Sequence, residues 1–500
     1  MIYAWIKNLI NIMIPGKALS KRIFQSTIWA FLIPLSTRFI SLIRTIILAK
    51  LLAPADFGTF GIAIVIISFF ETMTAFSLPD ALIQKKQETK DQLDTVWTFQ
   101  IIKGFLLAFI TFIFSYKISK FFAEPKLIYI IPMICITYIL RGFTNIGIIQ
   151  LQKELEFHKR FIYINIGAFA DIIISICLAF ILRNYWALIG GYIISELILA
   201  IASYLIVPYR PKIQFNFIII KDLFNFGVWL WATSMISFAI VRIDKLIIAK
   251  VIGTTALGYY MMANKFADIT AVNIGKALSS VMFPAYSKVQ DEISLLKKGF
   301  LTSLEFVLLI SLPVSAILII LAPEFTTIIL GRKWMPCVKS MQILTAASFI
   351  RALMLVYISL FRGVAKTKWE FILALMRAII IIATVVFLTN IWGIEGTSIS
   401  ILLGVLLTAP FGIYLSVRIV RTNSKEIIMK ILPIVFGVVS MSIIMIAFKV
   451  YISIKQIDYL IITIIISLIF FILPLIIYWR IFNCGPIPTI LHYLKSFAKK

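Results

Sequence analysis

Ten Lys and Arg residues interrupt segments otherwise suited to hydrocarbon: Arg38, Arg44, Lys103, Arg141, Arg242, Lys245, Lys265, Lys276, Arg351 and Arg377. A cationic side chain at the centre of a membrane helix costs roughly 2.5–3.5 kcal/mol on insertion scales, so ten facing lipid would oppose insertion by about 25–35 kcal/mol. Such residues face water, one another or an anion. Guanidinium forks and ammonium point charges give charge-assisted hydrogen bonds to phosphate-like oxygens, so the chemistry on offer is anion binding. Groups for bond-making are sparse. His158 and His492 fall in polar connecting segments where a solvated surface role is expected. Cys135, Cys177, Cys337 and Cys484 lie too far apart for a Cys-x-x-Cys metal site, and no disulfide framework is expected.

The elements that carry these charges follow from composition. Of 500 residues, 61% are hydrophobic, against about 45–50% in soluble domains; this predicts a polytopic membrane protein. The net charge of +26, from 48 Lys and Arg against 22 Asp and Glu, is scattered between apolar segments without a long basic run, so nucleic acid is not an expected partner. Residues 1–15 resemble a signal peptide only superficially, because Lys7, Asn8 and Asn11 interrupt the apolar core; an interfacial amphipathic helix is expected instead.

Apolar stretches of membrane-spanning length number about fourteen, at 26–49, 58–79, 97–118, 127–149, 161–182, 186–207, 224–249, 256–283, 300–322, 338–361, 370–390, 393–417, 431–453 and 459–479. The connections are short and polar. An even count places both termini on one side, and the bias of Lys85, Lys86, Lys90, Lys153, Lys159, Arg160, Lys499 and Lys500 to that side predicts cytoplasmic termini.

Residues 21–60 align without gaps to 221–260. Lys21, Phe24, Trp29, Ile40, Ile43, Ile47, Ala49, Lys50 and Gly58 recur as Lys221, Phe224, Trp229, Ile240, Ile243, Ile247, Ala249, Lys250 and Gly258. A repeat starting at spans 1 and 7 predicts two pseudosymmetric six-helix bundles of equal orientation, with a site at their interface near the midplane. The expected organisation is a cytoplasmic interfacial segment (1–22), an N-terminal bundle (23–210), a C-terminal bundle (211–420), and two further transmembrane helices with a basic cytoplasmic tail (421–500).

Helical phase at 100° per residue gathers the polar residues onto faces. Thr37, Arg38, Ser41, Arg44 and Thr45 share an arc of about 120°, as do Asn264, Lys265, Asp268, Gly275, Lys276 and Ser279, while Ser234, Ser237, Arg242, Asp244 and Lys245 span about 160°. One polar face on a membrane helix is what a hydrated cavity requires. Plainer readings compete: Lys265 and Asp268 at i, i+3 neutralise each other, Asp244 pairs with Arg242 or Lys245, and Lys103 and Lys276 snorkel to the interface. Arg38 and Arg44 have no acid in their own helix, which favours a cavity role. Arg141, with Tyr138 and Asn145, Arg351, with Ser348, and Arg377 are further contributors. Among intramembrane acids, Asp171 and Glu196 lack a nearby base in sequence and are the candidates for proton or sodium coupling; Asp244 and Asp268 are the candidate charge partners. Trp5, Trp97, Trp186, Trp334 and Trp479 fit interfacial belts, and Pro284, Pro313, Pro410 and the 190–191 Gly-Gly pair mark bends.

Several stretches resemble one family in the right order. They are LAKLLAPADFG (48–58), ALIQ (81–84), R-x-D (242–244), G-x-x-A-L-G-Y (253–259), FPAYSKVQD (283–291) and LGRKWMPCVKSMQIL (330–344). These are similar to bacterial polysaccharide and lipopolysaccharide exporters, the oligosaccharide-lipid flippases of the colanic-acid type, over residues 26–420. Their superfamily also holds multidrug and toxin extruders and the peptidoglycan-precursor flippase. The resemblance implies two bundles in a V and alternating access. The implied cargo is an undecaprenyl-pyrophosphate-linked repeat unit, moved across the cytoplasmic membrane for O-antigen, capsule or exopolysaccharide. It also implies that basic residues of the first span, here Arg38 and Arg44, engage the anionic head group, and it carries R-x-D onto Arg242 and Asp244. Polyprenyl-pyrophosphate-linked oligosaccharide and membrane lipids are then the partners, with a polysaccharide polymerase and glycosyltransferases as further ones. No cofactor is expected, and proton or sodium coupling is compatible but not required. The competing readings are a multidrug or organic-cation antiporter of the same fold, which calls for an acid-dominated cavity, and a membrane polymerase or ligase, which calls for an extramembrane catalytic surface. The repeat sets Arg44 opposite Asp244, so the first half is expected to be the more purely basic.

Overall fold

A backbone cut off from water can satisfy its hydrogen bonds within one segment only as a helix, and the long apolar runs of this chain form helices. The computed structural model describes residues 19–74, 82, 89–451 and 456–482, with backbone alone over much of 222–240 and 270–281. In order, α1 is Leu19–Leu51, α2 Pro54–Met73, α3 Lys90–Phe122, α4 Leu127–Gly142, α5 Ile148–Lys153, α6 Phe157–Leu182, α7 Trp186–Ile206 and α8 Phe217–Val251. They are followed by α9 Thr254–Lys288, α10 Ile293–Ile320, α11 Ala322–Phe325, α12 Val338–Gly363, α13 Thr367–Val420, α14 Ser424–Tyr451 and α15 Ile457–Phe482. The protein is a polytopic all-α membrane protein. Among the described residues, ten helices are long and apolar enough to cross a membrane. One of them, α13, leaves helical geometry at Trp392 and Gly393, the latter at φ +59°, where the sequence predicts the break between two spans.

Several helices exceed the membrane's need. α3 has 33 residues and α8 has 35, about 50 Å at 1.5 Å per residue against a hydrocarbon core of about 30 Å. Their ends are set by caps: Thr89 and Gln92 exchange side-chain to backbone bonds at the start of α3, both 3.3 Å, and the Asn216 side chain accepts from Ile218 N at 3.0 Å to start α8. The span expected over 127–149 stops at Gly142. Asn145 turns the chain there, its Oδ1 accepting from Gly147 N at 2.9 Å and its Nδ2 donating to the Tyr209 carbonyl at 2.7 Å.

The chain divides into two compact units, 1–258 and 259–500. In the first, the segment joining α7 to α8 is strapped to the start of α3: Tyr209 Oη and Lys212 N donate to Asp94 Oδ1 at 2.6 and 2.8 Å, and Gln214 N donates to Thr98 Oγ1 at 3.0 Å. The bundle boundary expected at 210/211 therefore lies inside this unit. The repeat has a physical expression here. Gly58 in the first turn of α2 lies against the carbonyl of Thr254, and Gly258 in the first turn of α9 lies against the carbonyl of Pro54; both pairs are related by the 200-residue offset. A Cβ on either glycine would collide with backbone, so Gly58→Ala and Gly258→Ala are each expected to cost about 1–3 kcal/mol. The apparent melting temperature of detergent-solubilised protein measures this, and two variants melting like wild type would show that the crossing relaxes freely.

In the second unit, the two helices outside the repeat pack on α10, where Leu304 and Leu308 meet Ile434, Met441, Met445 and Phe471. Three ion pairs run beside this seam: Lys297–Glu426 at 2.6 Å, Lys430–Glu305 at 2.8 Å and Lys449–Glu324 at 3.0 Å.

Other expectations are corrected. Trp334 is fully buried against the edge of Tyr259, and Trp97 is buried in a cluster with Leu93 and Ile146, so neither belongs to an interfacial belt. Pro284, Pro313 and Pro410 lie inside α9, α10 and the part of α13 after Gly393 without ending these helices. Gly190 and Gly191 sit inside unbroken α7, where Leu178 and Ser175 fill the space a side chain would take; they serve close packing rather than bending. The N-terminal segment before Leu19, the tail after Phe482, and the side chains of Ser234, Ser237, Gly275 and Lys276 lie outside the described residues.

Candidate functional site: intramembrane charge clusters

The first unit holds its interior charges in two clusters. Arg44 on α1 reaches α6, where its Nη2 lies 2.9 Å from Asp171 Oδ1. Its Nε and Nη2 also donate to Ser175 Oγ at 3.0 and 2.9 Å. Asp171 and Ser175, one turn apart, present carboxylate and hydroxyl on the same face. The missing side chain of Gly191 on α7 makes room for both. Arg44 is thus a paired, 12% exposed side chain.

Arg141, near the end of α4, lies between two acids. It bonds Glu71 of α2, and its Nη2 lies 2.5 Å from Glu196 Oε1 and 2.6 Å from Tyr192 Oη, both on α7. Lys103 of α3 is within electrostatic reach of Glu71 and Arg141. Asp171 and Glu196, which lack a base nearby in sequence, each take one from another helix.

On α8, Asp244 and Lys245 are both buried. Lys245 Nζ lies 3.7 Å from Asp244 Oδ1, the Asp244 carboxylate accepts from Lys245 N at 2.8 Å, and Lys245 Nζ donates to the Val241 carbonyl at 3.3 Å. Arg242 is half-buried and makes no ion pair with a described residue, so R and D of the R-x-D motif are not each other's partners. Arg38 is likewise half-buried and has no acid partner among the described residues.

In the second unit, Asp268 of α9 does not pair with Lys265 as helical spacing suggests. Its Oδ1 lies 2.7 Å from Arg351 Nη2 of α12, with Ser348 Oγ bridging at 2.9 Å to the arginine and 3.3 Å to the carboxylate, and Asn264 Nδ2 donates to Oδ2 at 3.1 Å. A three-residue rise offsets i and i+3 side chains by about 60° on the helix surface, and the α12 guanidinium occupies the gap. Lys265 is half-buried one turn before Asp268. Arg377 of α13 makes no ion pair with a described residue: its Nη1 contacts Met354 Sδ at 3.7 Å, and Tyr357, Arg351 and Glu370 are within electrostatic reach. Two donors beside it are unused, Arg351 Nε and the hydroxyl of almost fully buried Tyr357. Tyr357 escaped the sequence reading because one tyrosine among 18 carries no signal without its neighbours.

Arg44 thus pairs with Asp171, Arg141 with Glu71 and Glu196, Lys245 with Asp244 and Arg351 with Asp268, and the Arg351–Tyr357–Arg377 group concentrates unused donors. Among the described residues no cluster of His, Cys, Asp and Glu could hold a metal.

Helices with interior charges of this kind define a class, the multi-pass membrane proteins that handle polar cargo. Residues 47–339, more than half the chain, match the polysaccharide biosynthesis protein family, and the chain belongs to that family. Relatives include an uncharacterized membrane protein in the cps region of Klebsiella pneumoniae, 26% identical over 77% of this chain and 80% of the relative. The lipopolysaccharide biosynthesis protein WzxC of Escherichia coli is 22% identical over 77% and 79%, and the teichuronic acid biosynthesis protein TuaB of Bacillus subtilis is 23% identical over 67% and 70%. Among solved structures, the lipid II flippase MurJ in an inward closed conformation superimposes with a TM-score of 0.73 at 14% identity over 91% of this chain and 100% of MurJ. An inward-facing multidrug resistance MATE family transporter gives 0.61 at 16% identity over 80% and 99%. At these identities the likenesses describe the fold.

Proposed function

We propose that this protein is a flippase moving undecaprenyl-pyrophosphate-linked oligosaccharide from the inner to the outer leaflet of the bacterial cytoplasmic membrane, by alternating access, with both termini cytoplasmic. On this reading it is a transporter rather than an enzyme. The observation that carries the proposal is the surplus of interior cations over the acids that pair with them, sharpest at Arg377, which makes no ion pair with a described residue and has the Arg351 guanidinium within electrostatic reach. Such a surplus suits an anionic head group and disfavours the cationic cargo of the antiporter reading. Family membership and the relatives' roles in lipopolysaccharide biosynthesis, teichuronic acid biosynthesis and, for ExoT of Rhizobium meliloti, succinoglycan biosynthesis transport support the same cargo class; the fold alone does not choose.

Head-group binding is assigned to Arg351 and Arg377, with Lys265 as a further contact of the same unit; Arg38, Arg242 and Lys245 are the first unit's own candidates for an anionic group. Arg44 and Arg141 reach an anion only by exchanging their carboxylates, so Asp171 and Glu196 would be released when cargo binds and are the acids able to take up a proton or sodium. Outward movement of a pyrophosphate is favoured by an inside-negative potential at about 2.3 kcal/mol per charge per 100 mV, so coupling is an addition rather than a requirement. Reconstitution into liposomes with a fluorescent undecaprenyl-pyrophosphate-linked saccharide tests the proposal. Protein-dependent loss of leaflet asymmetry is expected, accelerated by a potential negative on the donor side. Transport of organic cations with no movement of the lipid-linked sugar would overturn it.

A further inference from the structure

The junction of α13 and α14 carries a feature that sugar-lipid transport does not use. Pro410, Ile413, Tyr414 and Val417 on α13 and Ile427 and Ile428 on α14 line an apolar pocket of about 410 Å³. Tyr414 and Ile428 are more than half exposed, at 52% and 57%. Residues 410, 414 and 417 recur at helical spacing, and Arg418 in the last turn of α13 and Arg421, which caps the helix at φ +50°, follow them at its end. The Arg418 guanidinium lies 4.9 Å from the centre of the Tyr414 ring, at the rim of the pocket. On α14, Lys425 precedes Ile428 by one turn and brings a cation to the same end. Arg418, Arg421 and Lys425 are all exposed, and none pairs with an acid among the described residues. The one carboxylate in this stretch, Glu426, is already engaged by Lys297 at 2.6 Å and by Thr422 Oγ1 at 3.0 Å.

An apolar slot capped at one end by three unneutralised cations has the polarity of an amphiphile with an anionic head. We propose that this junction binds an anionic phospholipid of the surrounding membrane, with an acyl chain between α13 and α14 and its phosphate on Arg418, Arg421 and Lys425. A zwitterionic lipid is a poorer fit, since its ammonium would join three cations. Basic pockets between membrane helices select anionic head groups by this charge complementarity, worth about fivefold for each Lys or Arg. The occupant would tie the two-helix extension α14–α15 to the helix before it, and the site shares no residue with the Arg351–Tyr357–Arg377 group.

Native mass spectrometry of the full-length protein, titrated in detergent with phosphatidylglycerol or phosphatidylcholine, tests this. Wild type is expected to retain phosphatidylglycerol in preference, and R418Q/R421Q/K425Q to lose that preference by about fivefold per residue. Ile428→Trp, which fills the slot and keeps every charge, is expected to reduce phosphatidylglycerol retention as well, with the melting temperature of both variants reporting that they are folded. Equal retention of the two lipids by wild type, or an unchanged preference in the folded triple variant, would overturn the proposal. So would tighter retention of undecaprenyl phosphate than of phosphatidylglycerol, because the site would then belong to the transported lipid.

Discussion

Arg141→Met is expected to lower the apparent melting temperature of the purified protein by roughly 6–12 °C, the largest stability loss of any interior substitution considered. The methionine keeps much of the volume and leaves Glu71 and Glu196 facing each other without the guanidinium that bonds both. Breaking a buried ion pair from one side costs about 3–5 kcal/mol. The partial exposure of this cluster, 35% for Arg141 and 13% for Glu196, argues for the lower end, and about 3 kcal/mol corresponds to the stated shift at 2–4 °C per kcal/mol. Removing the acids with the base should recover most of the loss, since replacing a whole buried ionic cluster by uncharged residues is often neutral. E71Q/R141M/E196Q is therefore the control. If R141M melts like wild type, Glu71 and Glu196 are not held by this contact. A triple variant that melts normally and still exports polysaccharide would make the cluster purely structural, whereas a stable triple variant without export would place it in the transport cycle.

What was legible in the chain divides by physical range. Apolar runs demand helices wherever they occur, so the helices appear in the expected places, and the 200-residue repeat appears as the reciprocal crossing of Gly58 and Gly258. Helical phase gathers Arg44 and Asp268 with other polar residues onto one face of α1 and of α9. It could not say what lay opposite. Arg44 and Asp171 are separated in sequence by the four helices α2–α5 and meet through the α1–α6 contact. Asp268 has Lys265 at a favourable spacing in its own helix and yet takes Arg351 from α12, because a guanidinium from a packed neighbour brings Ser348 with it as a second bond. Asp56 of the LAPADFG stretch carries a role that no spacing rule assigns, one carboxylate oxygen accepting from Ala53 N at 2.9 Å and the other from Tyr185 N at 3.1 Å, which ties the start of α2 to the start of α7. Partner choice is a tertiary property, and it decides whether a basic residue is available to an anion.

That distinction makes Arg377 the most informative functional substitution. Arg44→Gln and Arg351→Gln each strand a carboxylate, so loss of transport in either mixes misfolding with lost recognition. Arg377 strands no ion-paired carboxylate: its described contacts are the Met354 sulfur and the surroundings of Tyr357, with Glu370 within electrostatic reach. Arg377→Gln is expected to leave the melting temperature within about 2 °C of wild type, as most substitutions outside ion-paired or tightly packed positions change stability by under 0.5 kcal/mol. It should lower flipping of the lipid-linked saccharide by about 10–100-fold, the equivalent of the 1.5–3 kcal/mol typical of a hydrogen bond to a charged group. Arg377→Lys should fall between, because it keeps the charge and loses the planar fork that grips a phosphate bidentately. Tyr357→Phe removes only a hydroxyl that has no partner among the described residues; a loss of transport on that change, with unchanged stability, would identify the cargo as the missing acceptor. Wild-type flipping by Arg377→Gln would remove the second unit's donors from the proposed head-group site and return the assignment to Arg38 and Arg242, the other half-buried arginines without an acid partner among the described residues.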